Sequence, residues 1–245
     1  MVAASPLLDV VLFDVDDTLY STTAFAERAR HQAVEAMVDA GLDLDPMLVR
    51  RELREVVGEF RSNYGNHFDR LLDRLGRVHI GDRNPAVVIA AGVVAYHRTK
   101  ESDMQVLPDA RALLDALRVA AVRTGVISDG LRVKQAEKLV RLNVLPYFDP
   151  ASIFFSDQLG ISKPNPKIFT KACEALGADP GRVLYVGDRD THDVAPAAAA
   201  GLRTVLYRGA GGKYVETEPS CTPDHDVSDL RELIPVLRER YGLPV

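Results

Sequence analysis

The chain has 245 residues, 47% of them hydrophobic and 27% charged, with a formal net charge of -5. That is the balance of an ordinary soluble globular protein, long enough for one large domain or for a core plus a smaller module, and it excludes a general attraction to nucleic acid polymers or anionic membranes. Cys173 and Cys221 are the only cysteines, far apart and without a Cys-x-x-Cys spacing, which excludes a disulfide framework and leads us to expect a reducing, cytoplasmic setting.

The N-terminal residues Met1-Val2-Ala3-Ala4-Ser5-Pro6 lack a basic segment followed by a long apolar one, so no signal peptide is expected. No stretch approaches the roughly 18 apolar residues of a membrane span. The first patterned element is the run Val10-Val11-Leu12-Phe13. Four consecutive apolar residues, two of them β-branched, read as a strand buried on both faces, and hence as part of a parallel sheet. It ends in Asp14-Val15-Asp16-Asp17-Thr18. Open parallel sheets place their chemistry beyond the carboxyl ends of the strands. Two carboxylates that close together raise one another's pKa unless a cation sits between them, and oxygen-only ligands suit magnesium. One acid would suffice to cap a following helix, so three need a further reason.

The next 80 or so residues have helix caps and almost no strand signal. The spacing of Phe25, Ala29, Ala33, Ala36, Met37 and Ala40 predicts a helix over 22–40 closed by Gly41. Asp45-Pro46 opens a second helix to Phe60, 67–75 reads as a third ended by Gly76, and Asn84-Pro85 opens a fourth to about Tyr96. Strands and helices then alternate. Helices are expected over 109–119, 133–142, 166–176, 193–200 and 229–240, and strands over 122–127, 153–155, 183–186 and 204–207. Strands separated by single helices imply right-handed crossovers. The fold class expected is therefore α/β: a Rossmann-like, doubly wound parallel sheet core, residues 1–19 and 105–245, with an inserted α-helical cap domain over 20–104.

Polar groups recur just past the ends of the buried strands: Asp14 and Asp16, then Ser128, then Asp188. Lys163 lies in Ser162-Lys163-Pro164-Asn165-Pro166, a loop stiffened by two prolines. Singly, Ser128 is a turn residue, Lys163 a solvated charge and Asp188 a helix cap. Together they suit phosphoryl chemistry, in which positioning and charge neutralisation are most of the task.

In this arrangement the chain resembles the haloacid dehalogenase-like hydrolase superfamily along essentially its whole length. The signatures are Asp14-Val15-Asp16-Asp17-Thr18, Ser128 after an apolar strand, Lys163 before a proline-rich loop, and Gly187-Asp188-Arg189-Asp190-Thr191-His192-Asp193. The helical block has the position and size of the cap that one large subgroup carries after the first motif. The stretches 95–100 and 128–135 look like those of a magnesium-dependent phosphatase branch. The resemblance implies a phosphatase acting on a small phosphate monoester, such as a sugar phosphate, a glycerol-type phosphate or a nucleotide, with Mg2+ as cofactor. Asp14 would be the nucleophile that forms an aspartyl-phosphate. Asp16 would protonate the leaving alkoxide and then activate water. Ser128, with the backbone of Asp129 and Gly130, would bind phosphoryl oxygens, and Lys163 would neutralise the charge that builds there. The metal set implied is Asp14, Asp16 through its backbone carbonyl, and Asp188, with Asp193 as an outer acid that orients a metal-bound water or Lys163.

Asp190 and Asp193 compete for that outer role, and Asp193 is preferred because an apolar helix starts there. Asp17 is expected to accept loop hydrogen bonds. His192 reads as a capping or surface residue, and His31, His67, His79, His97 and His225 show no metal spacing. Tyr20, Phe25, Tyr64, His67 and Tyr96 are candidates for specificity, although aromatics at helical spacing are more often core. Apolar faces of the helical block could serve a homodimer. A 2-haloacid dehalogenase is disfavoured by Asp16, since a halide leaving group needs no acid. A phosphomutase needs the same core and stays open as the alternative. A phospho-receiver protein is disfavoured by the helical insertion, and a catalytically dead binding protein by the retention of every motif residue.

Overall fold

The computed structural model describes residues 7–60, 64–209 and 212–245; the leader reading of residues 1–6 lies outside them. In chain order the elements are β1 (Val10–Phe13), α1 (Thr22–Asp39), α2 (Pro46–Phe60), α3 (His67–Leu75), α4 (Pro85–Asp103), α5 (Pro108–Val119), β2 (Arg123–Ser128), α6 (Arg132–Arg141), β3 (Ile153–Phe155), α7 (Ser156–Leu159), α8 (Lys167–Leu176), β4 (Val183–Gly187), α9 (Ala195–Ala199), β5 (Arg203–Tyr207), β6 (His225–Val227) and α10 (Leu233–Tyr241).

The chain forms two compact units, one of residues 1–23 and 105–245 and the other of residues 24–104. The first unit is built on a six-stranded sheet in the order β3-β2-β1-β4-β5-β6, and every neighbouring pair is parallel. All four residues of β1 are buried, as its unbroken apolar run requires of a strand covered on both faces. Val10, Leu12, Ile127, Phe154, Ile168, Phe169, Val183 and Tyr185 share one core cluster, so α8 packs against the central strands. Register decides where the chemistry stands. Phe13 pairs with Val126 on β2 and with Val186 on β4. Asp14, Ile127-Ser128 and Gly187-Asp188, which follow these pairs, therefore stand side by side at the carboxyl ends of the three strands.

The second unit holds its own core of Val34, Met37, Leu42, Val49, Leu53, Leu71, Leu72, Ile80 and Val88. Its two ends are tied by the Arg28–Asp103 ion pair at 2.9 Å. On the sheet unit's side, Leu107 N donates to Leu19 O at 2.9 Å, so the chain departs and returns at one place.

Four details differ from the sequence expectation. The boundary falls after Thr23 rather than after residue 19, because the side chains of Tyr20, Thr22 and Thr23 bond back to Asp16 and Asp17. Helix α4 runs on to Asp103, past the polar stretch after Tyr96. The expected helix over 193–200 is a π-helical turn at Asp190–Val194 followed by the short α9. Strand β6 is an addition; it is only three residues long and two of them are polar, too weak a pattern to read.

Candidate active site

Lys163 is the hub. Its ammonium donates to Asp14 Oδ1 at 2.8 Å, to Asp193 Oδ1 at 2.6 Å and to the Tyr185 hydroxyl at 3.2 Å, and its side chain is 4% exposed. Burial works against that cation, and the Asp14 and Asp193 carboxylates outweigh it, holding the ammonium well above its ordinary value. The loop before α8 is fixed by Lys163 N donating to Asp129 Oδ1 at 3.0 Å. Asp129 thus braces the lysine through its side chain.

Asp14, Asp188 and Asp193 are all buried, and each offers a carboxylate oxygen within 4.8 Å of the others. Burial first, then the neighbouring Asp193 and Asp14 charges, push the Asp188 carboxyl up to about 9. Burial likewise lifts Asp14 to about 7, with Lys163 pulling it down and the Asp193 and Asp16 charges pushing it up. One ammonium does not balance three acids. Among the described residues no protein donor reaches the Asp188 carboxylate, and Asp14 Oδ2 is likewise free of protein donors, whereas Asp193 spends Oδ1 on Lys163 and Tyr185 and Oδ2 on Arg189 N at 3.1 Å. Unpaired carboxylate oxygens and no nitrogen or sulfur donor are the set that fits a hard divalent cation. Asp193 fits an orienting place behind it.

Asp193 reaches this position because residue 187 is a glycine: a Cβ there would lie 2.5 Å from Asp193 Cβ and Cγ. Asp190 is also buried, but its carboxylate faces away, accepting from Ser220 N at 2.7 Å and contacting Cys221 Sγ at 3.7 Å. His192 sits between Arg189 and Thr191.

Asp16 does not join the carboxylate cluster. Its Oδ1 accepts from Tyr20 Oη at 2.7 Å, Thr22 Oγ1 at 2.9 Å and Lys138 Nζ at 2.7 Å, and its Oδ2 accepts from Lys138 Nζ at 2.6 Å. Burial opposes ionisation here, but the Lys138 ammonium and these donors prevail and hold the carboxyl below its ordinary value. The Asp16 side chain is thus held apart from Asp14, Asp188 and Asp193. Asp17, at a φ of 57°, binds Thr23 N at 3.0 Å and Thr23 Oγ1 at 2.9 Å, which closes the turn into α1.

Ser128, 1% exposed, donates to Gln135 Oε1 at 3.1 Å, while Gln135 Nε2 donates to Asp129 O at 2.7 Å. Gly130, at a φ of 126°, points its N–H at Ser156 Oγ, 2.9 Å away. A left-handed residue here favours glycine. Of the aromatic specificity candidates, Tyr20 is spent on Asp16. Phe25 packs edge-on to Tyr96, and Tyr64 stacks on Phe60 and meets His67 edge-on, all inside the helical unit.

Sequence reasoning missed Lys138, Gln135 and Tyr185. Tyr185 reads as one more buried apolar strand residue. Gln135 and Lys138 did carry a signal: they lie three apart on the face of α6 that also buries Leu139, and a polar residue on an inward helical face needs a partner.

Comparison with known proteins agrees with this geometry. A family model described as haloacid dehalogenase-like hydrolase matches residues 8–201. The chain is 44% identical over 238 residues to a glyceraldehyde 3-phosphate phosphatase of Methanopyrus kandleri, covering 95% of this chain and 98% of that protein. It is 39% identical over 236 residues to a protein of the same name from Pyrococcus abyssi, covering 96% of each. Among solved structures, a HAD phosphatase from Thermococcus onnurineus superposes with a TM-score of 0.62 at 25% identity, covering 94% of this chain and 98% of that one.

Proposed function

Because the chain belongs to the haloacid dehalogenase-like hydrolases, we propose that it is a magnesium-dependent phosphatase of a small phosphate monoester. Glyceraldehyde 3-phosphate is the first ester to test, since the relatives at 44% and 39% identity carry that name. The observation that carries the reading is the buried Asp14, Asp188 and Asp193 cluster with Lys163 bonded to two of its members.

Asp14 attacks phosphorus in line, and the ester oxygen leaves as the Asp14–phosphoryl bond forms. Lys163 holds Asp14 Oδ1 and so fixes the carboxylate against the incoming phosphorus. Magnesium, held by Asp14, Asp188 and the Asp16 carbonyl, would supply the charge that lets a carboxylate meet a phosphate dianion. Ser128 and the N–H of residue 129 receive the phosphoryl oxygens, whereas the Gly130 N–H expected to join them is already given to Ser156 Oγ. Asp16, held ionised by Lys138, takes the proton of the water that releases phosphate, and it protonates the leaving oxygen only after first taking up a proton. The helical unit, inserted directly after the first acids, is assigned the specificity role of a cap. The free thiols of Cys173 and Cys221 suit a reducing cytoplasm.

The test is phosphate release from a panel of monoesters, with magnesium and with chelator, for wild type and Asp14→Asn. Magnesium-dependent release that the variant loses is the expected result. Equal release in chelator, or an active Asp14→Asn, would overturn the reading.

A further inference from the structure

Helix α6 aims two polar side chains inward from one face. Gln135 takes the Ser128 hydroxyl, and one turn on Lys138 grips Asp16 by both carboxylate oxygens, at 2.7 and 2.6 Å. The Lys138 side chain is 17% exposed and that of Asp16 34%, so the contact is partly buried. With Tyr20 and Thr22 added, Asp16 Oδ1 is saturated, whereas Oδ2 accepts from Lys138 alone. A carboxylate offers about four lone-pair sites. The clamp therefore leaves a defined oxygen of Asp16 with room for one further donor.

We propose that Lys138 is a positioning residue for the second half of the reaction: it holds Asp16 as a fixed acceptor for the water that releases phosphate from Asp14. The inference rests on the phosphatase reading above. In that step the water oxygen bonds to phosphorus, the bond from phosphorus to the Asp14 oxygen breaks with its electron pair returning to the carboxylate, and the water proton passes to Asp16. Lys138 touches neither water nor phosphorus. It restricts where the accepting oxygen stands, and misplacement of a base is expensive because proton transfer requires hydrogen-bond reach.

The experiment is rapid-quench kinetics with magnesium and p-nitrophenyl phosphate, whose leaving group departs without a proton, so formation of the phosphoenzyme does not need Asp16. Wild type is compared with Lys138→Met, Lys138→Gln, Lys138→Arg and Asp16→Asn, and protein-bound phosphate is measured after acid quench. In Lys138→Met and Lys138→Gln we expect a burst close to one nitrophenolate per site, steady-state turnover lower on the order of 10²-fold, and phosphate trapped on the protein; Lys138→Arg restores most of the turnover. If Asp16→Asn traps phosphate while the lysine variants do not, or if burst and steady state fall together in those variants, Lys138 has no positioning role. If wild type and Asp16→Asn both turn over without forming a phosphoenzyme, the underlying reading fails and takes this proposal with it.

Discussion

Asp14 and Asp188 are carboxyls that burial and like charge lift to about 7 and about 9, far above the 3.8 that an unfolded chain would show. A raised carboxyl keeps its proton in the folded state after the unfolded chain has lost it. Stability without a cation therefore declines as pH rises from the unfolded value through the two folded ones. A divalent ion reverses the sign, because it binds the ionised forms and only in the folded protein. The prediction is a rise in Tm on adding magnesium that is small at about pH 5 and several degrees larger at about pH 8.5, read by thermal unfolding against chelator. An increment independent of pH would remove these carboxylates from the cation site. The same residues show what single positions reveal in a sequence. Asp14, Lys163 and Asp188 stood out as a set, because polar groups recur just past the ends of buried strands, although Lys163 and Asp188 each have an ordinary reading alone. Lys138 did not, because its partner lies 122 positions away, and its place on the inward face of α6 asks for a partner without naming Asp16.

The π-helical turn at Asp190–Val194 separates two acids that compete in the sequence for the outer role. Opening the turn by one residue sends Asp193 back to Lys163 and Asp190 outward to the segment before β6, where Ser220 N and Ser220 Oγ both donate to it. The roles should separate accordingly. Asp193→Ala is expected to lower turnover on the order of 10²-fold or more, by freeing the ammonium it orients. Asp190→Ala should keep turnover within about tenfold but lose about 1–3 kcal/mol of stability, the cost of buried donors left without their acceptor. For a chain of this size each kcal/mol is roughly 2–4 °C in Tm, so a steady-state assay and a melting curve together check both. The reverse ranking would exchange the two assignments. Elements with strong periodicity were legible to within a few residues, as α2 and α3 were, because caps and apolar spacing agreed. The π turn was not, since its start and its unwinding depend on the fit of Asp193 over Gly187, a contact no local pattern announces.

The two units have separate cores, and the sheet unit's stumps are joined by the hydrogen bond between Leu107 and Leu19. Replacing residues 24–104 by a short Gly/Ser linker should therefore leave a folded sheet unit, with a cooperative melting transition and the magnesium-dependent Tm rise retained. A molten product would show that the helical unit is needed for the fold. The discontinuity was readable from sequence, because one strand pattern stood alone before a long helical block; where the block begins was not, because the hydroxyls of Tyr20, Thr22 and Thr23 reveal their allegiance only through Asp16 and Asp17. The same arrangement burdens synthesis. Strand β1 lies between β2 and β4, and the partners of Val10 are Arg123 and Val183. At translation speeds of about 5–20 residues per second, the most apolar strand of the molecule leaves the ribosome many seconds before either neighbour exists. The interval is filled by the making of residues 24–104, so β1 stays without its sheet partners while the whole helical unit is made.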